Sequence, residues 1–240
     1  FGWSFDPQAA FVFDVLVQLG TTVAVIVYFA KDLWQIALAM LHGIRRRKLL
    51  ESPDARLGWL VIVATVPAAI IGLLFKKSVE VLHGYPALVA TILVGAVVLF
   101  LVEHISQHRR GLDTLTWFDA LIIGCSQALA LFPGVSRSAA TISGGLALGL
   151  ERRAAARFSF LMSIPILIAA GVIAAKDLTG IPNFTAYLPS LALGFLAAAV
   201  VGFASIHWLL GYLAKRSMNI FAWYRIGFGA LCLVIALVRR

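Results

Sequence analysis

The amino-acid sequence predicts an all-α, polytopic membrane protein with about six transmembrane helices and a re-entrant helical hairpin. Composition is the first indication: 61% of the 240 residues are hydrophobic and 13% are charged, whereas soluble domains carry about 25% charged residues. The second indication is a series of long apolar stretches, and the third is a pair of shorter ones that lie between basic clusters. A soluble helical bundle is the weaker interpretation.

Six apolar stretches approach or reach the length of about 17–25 residues that a helix needs to cross a bilayer. They are roughly Phe11–Phe29, Leu57–Phe75, Ala87–Glu103, Phe158–Ala175, Leu188–Leu213 and Ile220–Val238.

The net charge of +9 orients these spans and does not indicate a nucleic-acid partner. Basic residues lie in short clusters between the apolar stretches, and such clusters favour the cytoplasmic side of a membrane. The strongest cluster, Arg45–Lys48, places the end of the first span inside, and His108–Arg110 does the same for the third. Membrane lipids are therefore the expected surroundings.

Two apolar segments, Phe118–Phe132 and Ser138–Leu150, are too short to cross a hydrocarbon core of about 30 Å. Basic residues precede this pair at His108–Arg110 and follow it at Glu151–Arg157. Both ends of the pair are therefore expected on the same membrane face. We interpret residues 118–150 as a re-entrant hairpin that dips in from the cytoplasm, with its tip at Pro133 and Gly134.

A weak internal repeat accompanies the hairpin. Asp14–Trp34 and Ser159–Leu178 both contain an apolar stretch followed by Lys-Asp-Leu, and the predicted topology gives them opposite directions. Inverted repeats of this kind are common in proteins with a site near the membrane midplane. We therefore expect one membrane domain, residues 1–240, with the rest of a first repeat in 1–112 and a second repeat in 113–240. A second re-entrant hairpin is expected ahead of Phe1.

The predicted tip has the chemistry of an anion site. Pro133 has no amide hydrogen, and Gly134 permits backbone angles that are closed to other residues. A helix that restarts near Val135 presents unpaired amides and the positive end of its dipole, and both attract anions. Arg137 adds a planar fork of donors suited to two phosphate oxygens. Gly134, Val135 and Arg137 are thus candidate phosphate-binding residues.

Three hydroxyls follow the tip, those of Ser136, Ser138 and Thr141. They could bind phosphate, but small polar residues also let helices pack closely in membranes. Packing remains an open alternative for Ser136 and Thr141. It does not suit Arg137, because an unused arginine inside a membrane costs several kcal/mol.

The stretch "QALALFPGVSRSAATISGG", residues 127–145, closely resembles a signature of the undecaprenyl-pyrophosphate phosphatases, the bacitracin-resistance membrane phosphatases. "FVFDVLVQLGTTVAVIVYF" and "FAWYRIGFGA" resemble other segments of that family, so the resemblance covers nearly the whole chain. It implies an integral enzyme that hydrolyses undecaprenyl pyrophosphate to the monophosphate and recycles the lipid carrier of peptidoglycan synthesis. The implied location is the bacterial plasma membrane, with the site facing the periplasm.

The resemblance also implies roles for residues of this sequence. Arg137 matches the family's phosphate-binding arginine, Ser136 and Thr141 match its site hydroxyls, and Gln127 matches a polar site residue. The family's acidic and serine-rich signature is not found in residues 1–240 and is expected ahead of Phe1. A divalent cation, Mg²⁺ or Ca²⁺, is expected because both bridge phosphates, but this sequence assigns no ligand to it.

Other polar residues in the spans leave alternatives open. Asp14 and Gln18 lie one helical turn apart and could support the site or serve a structural role. Arg225 could extend to the membrane interface or bond across the helix bundle. A homodimer is a further open question.

Two rival functions fit parts of the pattern. A lipid-phosphate transporter or flippase would use the same anion-binding tip and inverted repeats. An acid-phosphatase-like lipid phosphatase also uses Ser-Arg, but its signature requires a histidine where this chain has Ser143.

Overall fold

A computed structural model describes residues 7–80, 85–178 and 184–238, although the side chains of residues 7–12, 14, 73, 75–80, 85–86, 173–178 and 184–191 are outside this description. Helices account for the regular structure of these ranges, apart from one isolated bridge between Arg110 and Leu150. The α-helices are α1 (Pro7–Tyr28), α2 (Ala30–Arg45), α3 (Pro53–Glu80), α4 (Tyr85–Ile105), α5 (Trp117–Ala128), α6 (Arg137–Ala147), α7 (Arg152–Leu178), α8 (Phe184–Leu213) and α9 (Asn219–Val238).

The predicted fold class is confirmed. In the described ranges, five helices are long and apolar enough to cross a membrane, and a bent pair made by α1 and α2 raises the number to six. Each predicted span corresponds to one long helix. The ends differ mainly where a helix continues into polar sequence, as α3 does when it begins at Pro53 and ends at Glu80.

Helix α2 is the element that the sequence interpretation missed. The chain bends by 68° between α1 and α2, at Phe29, whose side chain is buried. Helix α2 is amphipathic: Ile36 and Met40 lie against Gly58 of α3, while Trp34 and Leu41 are exposed. Lys31, Asp32, Gln35 and His42 interrupt its apolar residues, so a search for long apolar runs passes over it.

The chain forms two compact units. One comprises Phe1–Gln35 and Ser163–Leu209, and the other comprises Ile36–Met162 and Leu210–Arg240. In the first unit, α1 and α8 approach closely at small residues. A methyl group on Gly20 would lie 3.0 Å from the Cβ atom of Ala198, which shows how little space separates the two helices.

The second unit contains the hairpin. Helix α3 packs against α5, α4 packs against α9, and α6 packs against both α4 and α5. The apolar side chains of Ile123, Ile142 and Leu146 are almost fully buried. Close packing of α5 on α6 depends on Gly144, because a methyl group there would lie 3.1 Å from the Cβ atom of Ser126. The hairpin is therefore part of the core of its unit.

Candidate functional site at the hairpin tip

Arg110 joins the two ends of the hairpin. Its guanidinium donates to the Asp119 carboxylate at the start of α5, with 2.5 Å between Nη2 and Oδ2, and to the Leu148 carbonyl after α6 at 2.9 Å. The Arg110 amide donates to the Gly149 carbonyl at 3.0 Å. Helices α5 and α6 thus form a hairpin whose ends lie together, as a re-entrant segment requires; its placement in the membrane stays a prediction.

Asp119 is ionised and held in place by three donors. Burial alone would raise its pKa, but hydrogen bonds from Arg110 and from Thr116 hold the pKa below its ordinary value instead. Thr116 and Asp119 also form a reciprocal capping box at the start of α5, which satisfies two amides that the helix leaves unpaired. These contacts anchor the base of the hairpin.

The chain is not helical at the predicted tip residues, Pro133 and Gly134, and its backbone is also unusual at Ser136. A short 3₁₀ turn, Leu129–Leu131, follows α5. Gly134 has φ +87°, an angle that glycine adopts without cost. Ser136 has φ +28° and ψ +109°, a sparsely populated conformation for a residue with a side chain. Strain of this kind recurs at functional sites, where the surrounding structure maintains it.

Helix α6 begins at Arg137 with unpaired amides. In the described ranges, no acceptor takes a hydrogen bond from the amides of Ser136, Arg137 or Ser138. The Val135 amide differs because it donates to the Phe132 carbonyl at 3.3 Å. Three consecutive free amides at the positive end of a helix form a site for an anion.

The Arg137 guanidinium is half-buried beside these amides. Among the residues that the structure describes, it has neither a carboxylate partner nor a hydrogen-bond acceptor. The hydroxyls of Ser136 and Ser138 lie 3.5 Å apart, and Ser136 Oγ also accepts from the Ala139 amide at 3.4 Å. The structure therefore brings Gly134, Ser136, Arg137 and Ser138 together at one place.

Thr141 and Gln127, two further candidates, are buried. Thr141 is 1% exposed, and its hydroxyl lies 2.5 Å from the Ser159 hydroxyl of α7 and 3.0 Å from the Arg137 carbonyl. Gln127 is 3% exposed, and both polar atoms of its amide lack a hydrogen-bond partner. Buried amides are rarely left unsatisfied, so Gln127 is suited to binding water or substrate. Catalytic or binding roles for both residues stay predictions.

The remaining candidates belong to the other compact unit. Gln18 lies in α1 with an exposed side chain, and its carbonyl accepts from Thr22 Oγ1 at 2.8 Å. The side chain of Asp14 lies outside the described residues. Supporting roles for Asp14 and Gln18 stay predictions.

The described side chains do not provide a cluster of acidic, histidine or cysteine ligands for the predicted divalent cation. Within the described side chains, no group of three or more His, Cys, Asp or Glu residues could hold a metal ion. Two buried acidic residues, Asp119 and Glu103, form ion pairs with Arg110 and Arg152. The described residues at the tip offer hydroxyls and amides but no carboxylate.

An apolar cavity of about 500 Å³ lies beside the hairpin. Residues of α4, α5, α6 and α9 line it, and its polar lining includes Thr91, Ser126 and Arg225. Val94 and Val98 of α4 belong to the lining and are also 62% and 46% exposed. The cavity therefore opens toward the apolar outer face of α4.

Comparison with known proteins identifies the family. The family model of the bacitracin resistance protein BacA matches residues 1–231. The chain belongs to the BacA family. The undecaprenyl-diphosphatase of Myxococcus xanthus is 42% identical over 236 residues, which cover 98% of this chain and 78% of that protein. Those of Caldicellulosiruptor bescii and Moorella thermoacetica are 43% and 42% identical and cover 87% and 88% of their own lengths.

Two further side chains of this BacA-family chain contact the tip. Thr91 of α4 donates to the Pro133 carbonyl, and Arg225 of α9 donates to the Gly134 carbonyl at 3.0 Å. Of the two alternatives for Arg225, bonding across the bundle is the one that the structure shows. No local signal could have found Thr91, because it lies 42 residues from its partner in an apolar helix.

Proposed function

We propose that this chain hydrolyses undecaprenyl diphosphate to undecaprenyl phosphate and inorganic phosphate. Relatives that are 42–43% identical over nearly the whole chain are named undecaprenyl-diphosphatase. The observation that carries the proposal in this chain is the group of three free amides beside the unpaired Arg137 guanidinium. The transporter alternative has no comparable support.

The tip binds the diphosphate in this proposal. The amides of Ser136, Arg137 and Ser138 donate to phosphate oxygens, and the guanidinium supplies two further donors in a fixed plane. Negative charge redistributes when the bond between the terminal phosphorus and the bridging oxygen breaks. Donors that are already oriented stabilise that charge without reorganising, and this is the largest contribution in many phosphoryl transfers.

The lipid chain follows the apolar cavity beside the hairpin. Its lining is almost entirely hydrocarbon, and it connects the tip helix α6 with the exposed face of α4. A prenyl chain gains about 0.8 kcal/mol for each CH₂ group that leaves water, but it gains little on moving from lipid to protein. The cavity therefore guides the chain and contributes shape rather than large affinity.

The cellular setting belongs to the proposal as well. We place the protein in the bacterial plasma membrane, with the site opening to the periplasm, where hydrolysis recycles the lipid carrier of peptidoglycan synthesis. Oxygen ligands suit Mg²⁺ or Ca²⁺, which neutralise diphosphate charge when bound. That cation is part of the proposal, and its ligands are not among the described tip residues.

Phosphate release in lipid nanodiscs tests the function. The full-length protein is supplied with undecaprenyl diphosphate, released phosphate is measured, and the lipid product is identified by mass spectrometry. We expect equal amounts of undecaprenyl phosphate and inorganic phosphate, and loss of both with Arg137→Ala. Arg153→Ala, which removes an exposed arginine near the start of α7, is the matched control. Movement of intact diphosphate across the membrane without phosphate release would contradict the proposal.

A further inference from the structure

Two consecutive carbonyls of the hairpin tip are held by side chains from two different helices. Thr91 Oγ1 of α4 donates to the Pro133 carbonyl, and Arg225 Nη2 of α9 donates to the Gly134 carbonyl at 3.0 Å. The same Arg225 atom also donates to the Ile92 carbonyl of α4 at 3.3 Å. One guanidinium therefore connects α9, α4 and the tip.

The surroundings of Arg225 are built around this guanidinium. A methyl group on Gly95 of α4 would lie 2.6 Å from Arg225 Nη2, so glycine makes room for the arginine. In the described ranges Arg225 has no carboxylate partner, and its buried Nε atom has no hydrogen-bond acceptor. A charge placed in a membrane span at this cost is usually functional.

Thr91 also lies very close to the hairpin tip, at Gly134. A methyl group on Gly134 would lie 2.5 Å from Thr91 Oγ1 and 2.7 Å from the Leu88 carbonyl. Any larger residue at position 134 would push the tip away from α4. The Thr91 hydroxyl also lies 2.9 Å from the Leu88 carbonyl of its own helix, so the two carbonyls share its single hydrogen.

Holding these two carbonyls fixes two peptide planes. In a trans peptide, the carbonyl of one residue and the amide of the next point in opposite directions. The Gly134 amide therefore points away from Thr91, and the Val135 amide points away from Arg225 and toward the Phe132 carbonyl. These two planes directly precede Val135 and Ser136, so they set the position from which the chain enters α6.

We propose that Thr91 and Arg225 are positioning residues for the hydrolysis, because together they aim the free amides of α6 at the diphosphate. Neither residue needs to touch the reacting phosphorus. The inference depends on the proposed function. A displacement of about 1 Å in a site of this kind can cost about 10²-fold in rate, so loss of either side chain is expected to lower turnover strongly.

Matched threonine variants test the inference in the full-length protein in nanodiscs. We expect Thr91→Val to lower kcat/KM for undecaprenyl diphosphate by about 10- to 100-fold, mostly through kcat, and Thr91→Ser to recover most of the loss. Thr65→Val is the control, because Thr65 Oγ1 lies 2.8 Å from the Val61 carbonyl of its own helix and 3.5 Å from the Met162 carbonyl of α7, and it makes no hydrogen bond to the tip among the described residues. A thermal-unfolding measurement on each variant distinguishes a loss of folding from a displacement of the hairpin tip.

Arg225 variants add a second, independent test. Arg225→Met removes both the charge and the donors, whereas Arg225→Lys keeps the charge but replaces the planar fork with one ammonium group. We expect the methionine variant to lose activity as Thr91→Val does and the lysine variant to recover only part of it. A folded Thr91→Val variant with the kcat and KM of Thr65→Val would overturn the inference. A wild-type protein that releases no phosphate would instead overturn the proposed function.

Discussion

Arg110 and Asp119 form an ion pair at the base of the hairpin, with 2.5 Å between Nη2 and Oδ2. The same guanidinium bonds to the Leu148 carbonyl, so one arginine holds both ends of the hairpin. Asp119 is almost fully buried, and its carboxylate also accepts from the Thr116 amide at 2.9 Å. The hairpin is therefore closed by electrostatic contacts at its base and by packing along its length.

The stability of this base should depend on pH. Folding lowers the pKa of Asp119 below its unfolded value near 3.9, so the folded state binds the proton less readily. The contribution of the pair is complete above about pH 4 and is lost as the pH falls through the lower folded value. We expect hydrogen exchange at residues 148–150 to be constant from pH 8 to 5, after correction for intrinsic rates, and to accelerate below pH 4. Asp119→Asn should exchange faster throughout and lose this acceleration; an unchanged profile would contradict the role of the pair.

Arginine geometry at position 137 matters beyond charge. Lysine in its place keeps one positive charge but presents a point donor instead of a planar fork. We expect Arg137→Lys to lower kcat by about 10²-fold, the loss typical of one oriented donor to a developing charge. The measurement is phosphate release under saturating substrate, with thermal unfolding as the control for folding. Turnover within threefold of wild type would show that charge alone is sufficient.

The Ser136 hydroxyl can be separated from the unusual backbone at that position. Ser136→Gly removes the hydroxyl but suits φ +28°, whereas Ser136→Ala removes the hydroxyl and keeps the strain. Loss of the cap to the Ala139 amide costs about 1 kcal/mol with alanine and less with glycine. If the hydroxyl binds or reacts with phosphate, both variants lose activity and Ser136→Thr retains a part of it. An active Ser136→Gly variant would assign Ser136 a conformational role instead.

A double variant decides between the two roles of Thr141. Thr141→Val alone leaves the buried Ser159 hydroxyl unsatisfied, which costs about 1–3 kcal/mol, whereas replacing both partners is often nearly neutral. We expect Thr141→Val with Ser159→Ala to regain the thermal stability that Thr141→Val loses. If Thr141 acts on phosphate, the double variant stays inactive in the phosphate assay. Recovery of both stability and turnover would restrict Thr141 to packing.

Filling the cavity should discriminate between long and short lipids. Val98→Trp places a large side chain in the cavity lining, whereas Val97→Trp adds the same side chain at a position with 51% exposure that does not line the cavity. We expect Val98→Trp to raise KM for undecaprenyl diphosphate several-fold and to leave KM for a prenyl diphosphate of two or three isoprene units nearly unchanged. Equal effects of the two tryptophan variants would contradict the path proposed for the chain.

The sequence signals that predict the hairpin are local. Segments too short to span a membrane, basic clusters on both sides and a Pro-Gly pair each carry their meaning within a few residues. In the structure, α5 begins at Trp117, and Leu150 after α6 pairs with Arg110 ahead of α5. Helix α6 starts at Arg137 rather than near Val135, because Ser136 serves as its cap.

Other features depend on tertiary contacts that no local pattern shows. Helix α1 ends at Tyr28 and the chain bends before α2 begins at Ala30, whereas α7 continues without a break through its own Lys-Asp-Leu sequence to Leu178. The bond from Arg225 to Gly134 spans 91 residues, and a lone arginine near the start of a span is equally consistent with a position at the interface. The buried pair of Thr141 and Ser159 is likewise visible only once α7 packs on α6.

The central claim is that the amides of Ser136, Arg137 and Ser138 hold the diphosphate. Solid-state NMR measures it most directly, through ¹⁵N–³¹P dephasing between labelled backbone amides and a non-hydrolysable diphosphate lipid bound to the protein in bilayers. We predict clear dephasing at these three amides, corresponding to nitrogen–phosphorus distances of hydrogen-bonded groups, and its loss in Arg137→Ala. The account would be contradicted if, at a saturating concentration of the analogue, dephasing appeared at other amides and at none of these three.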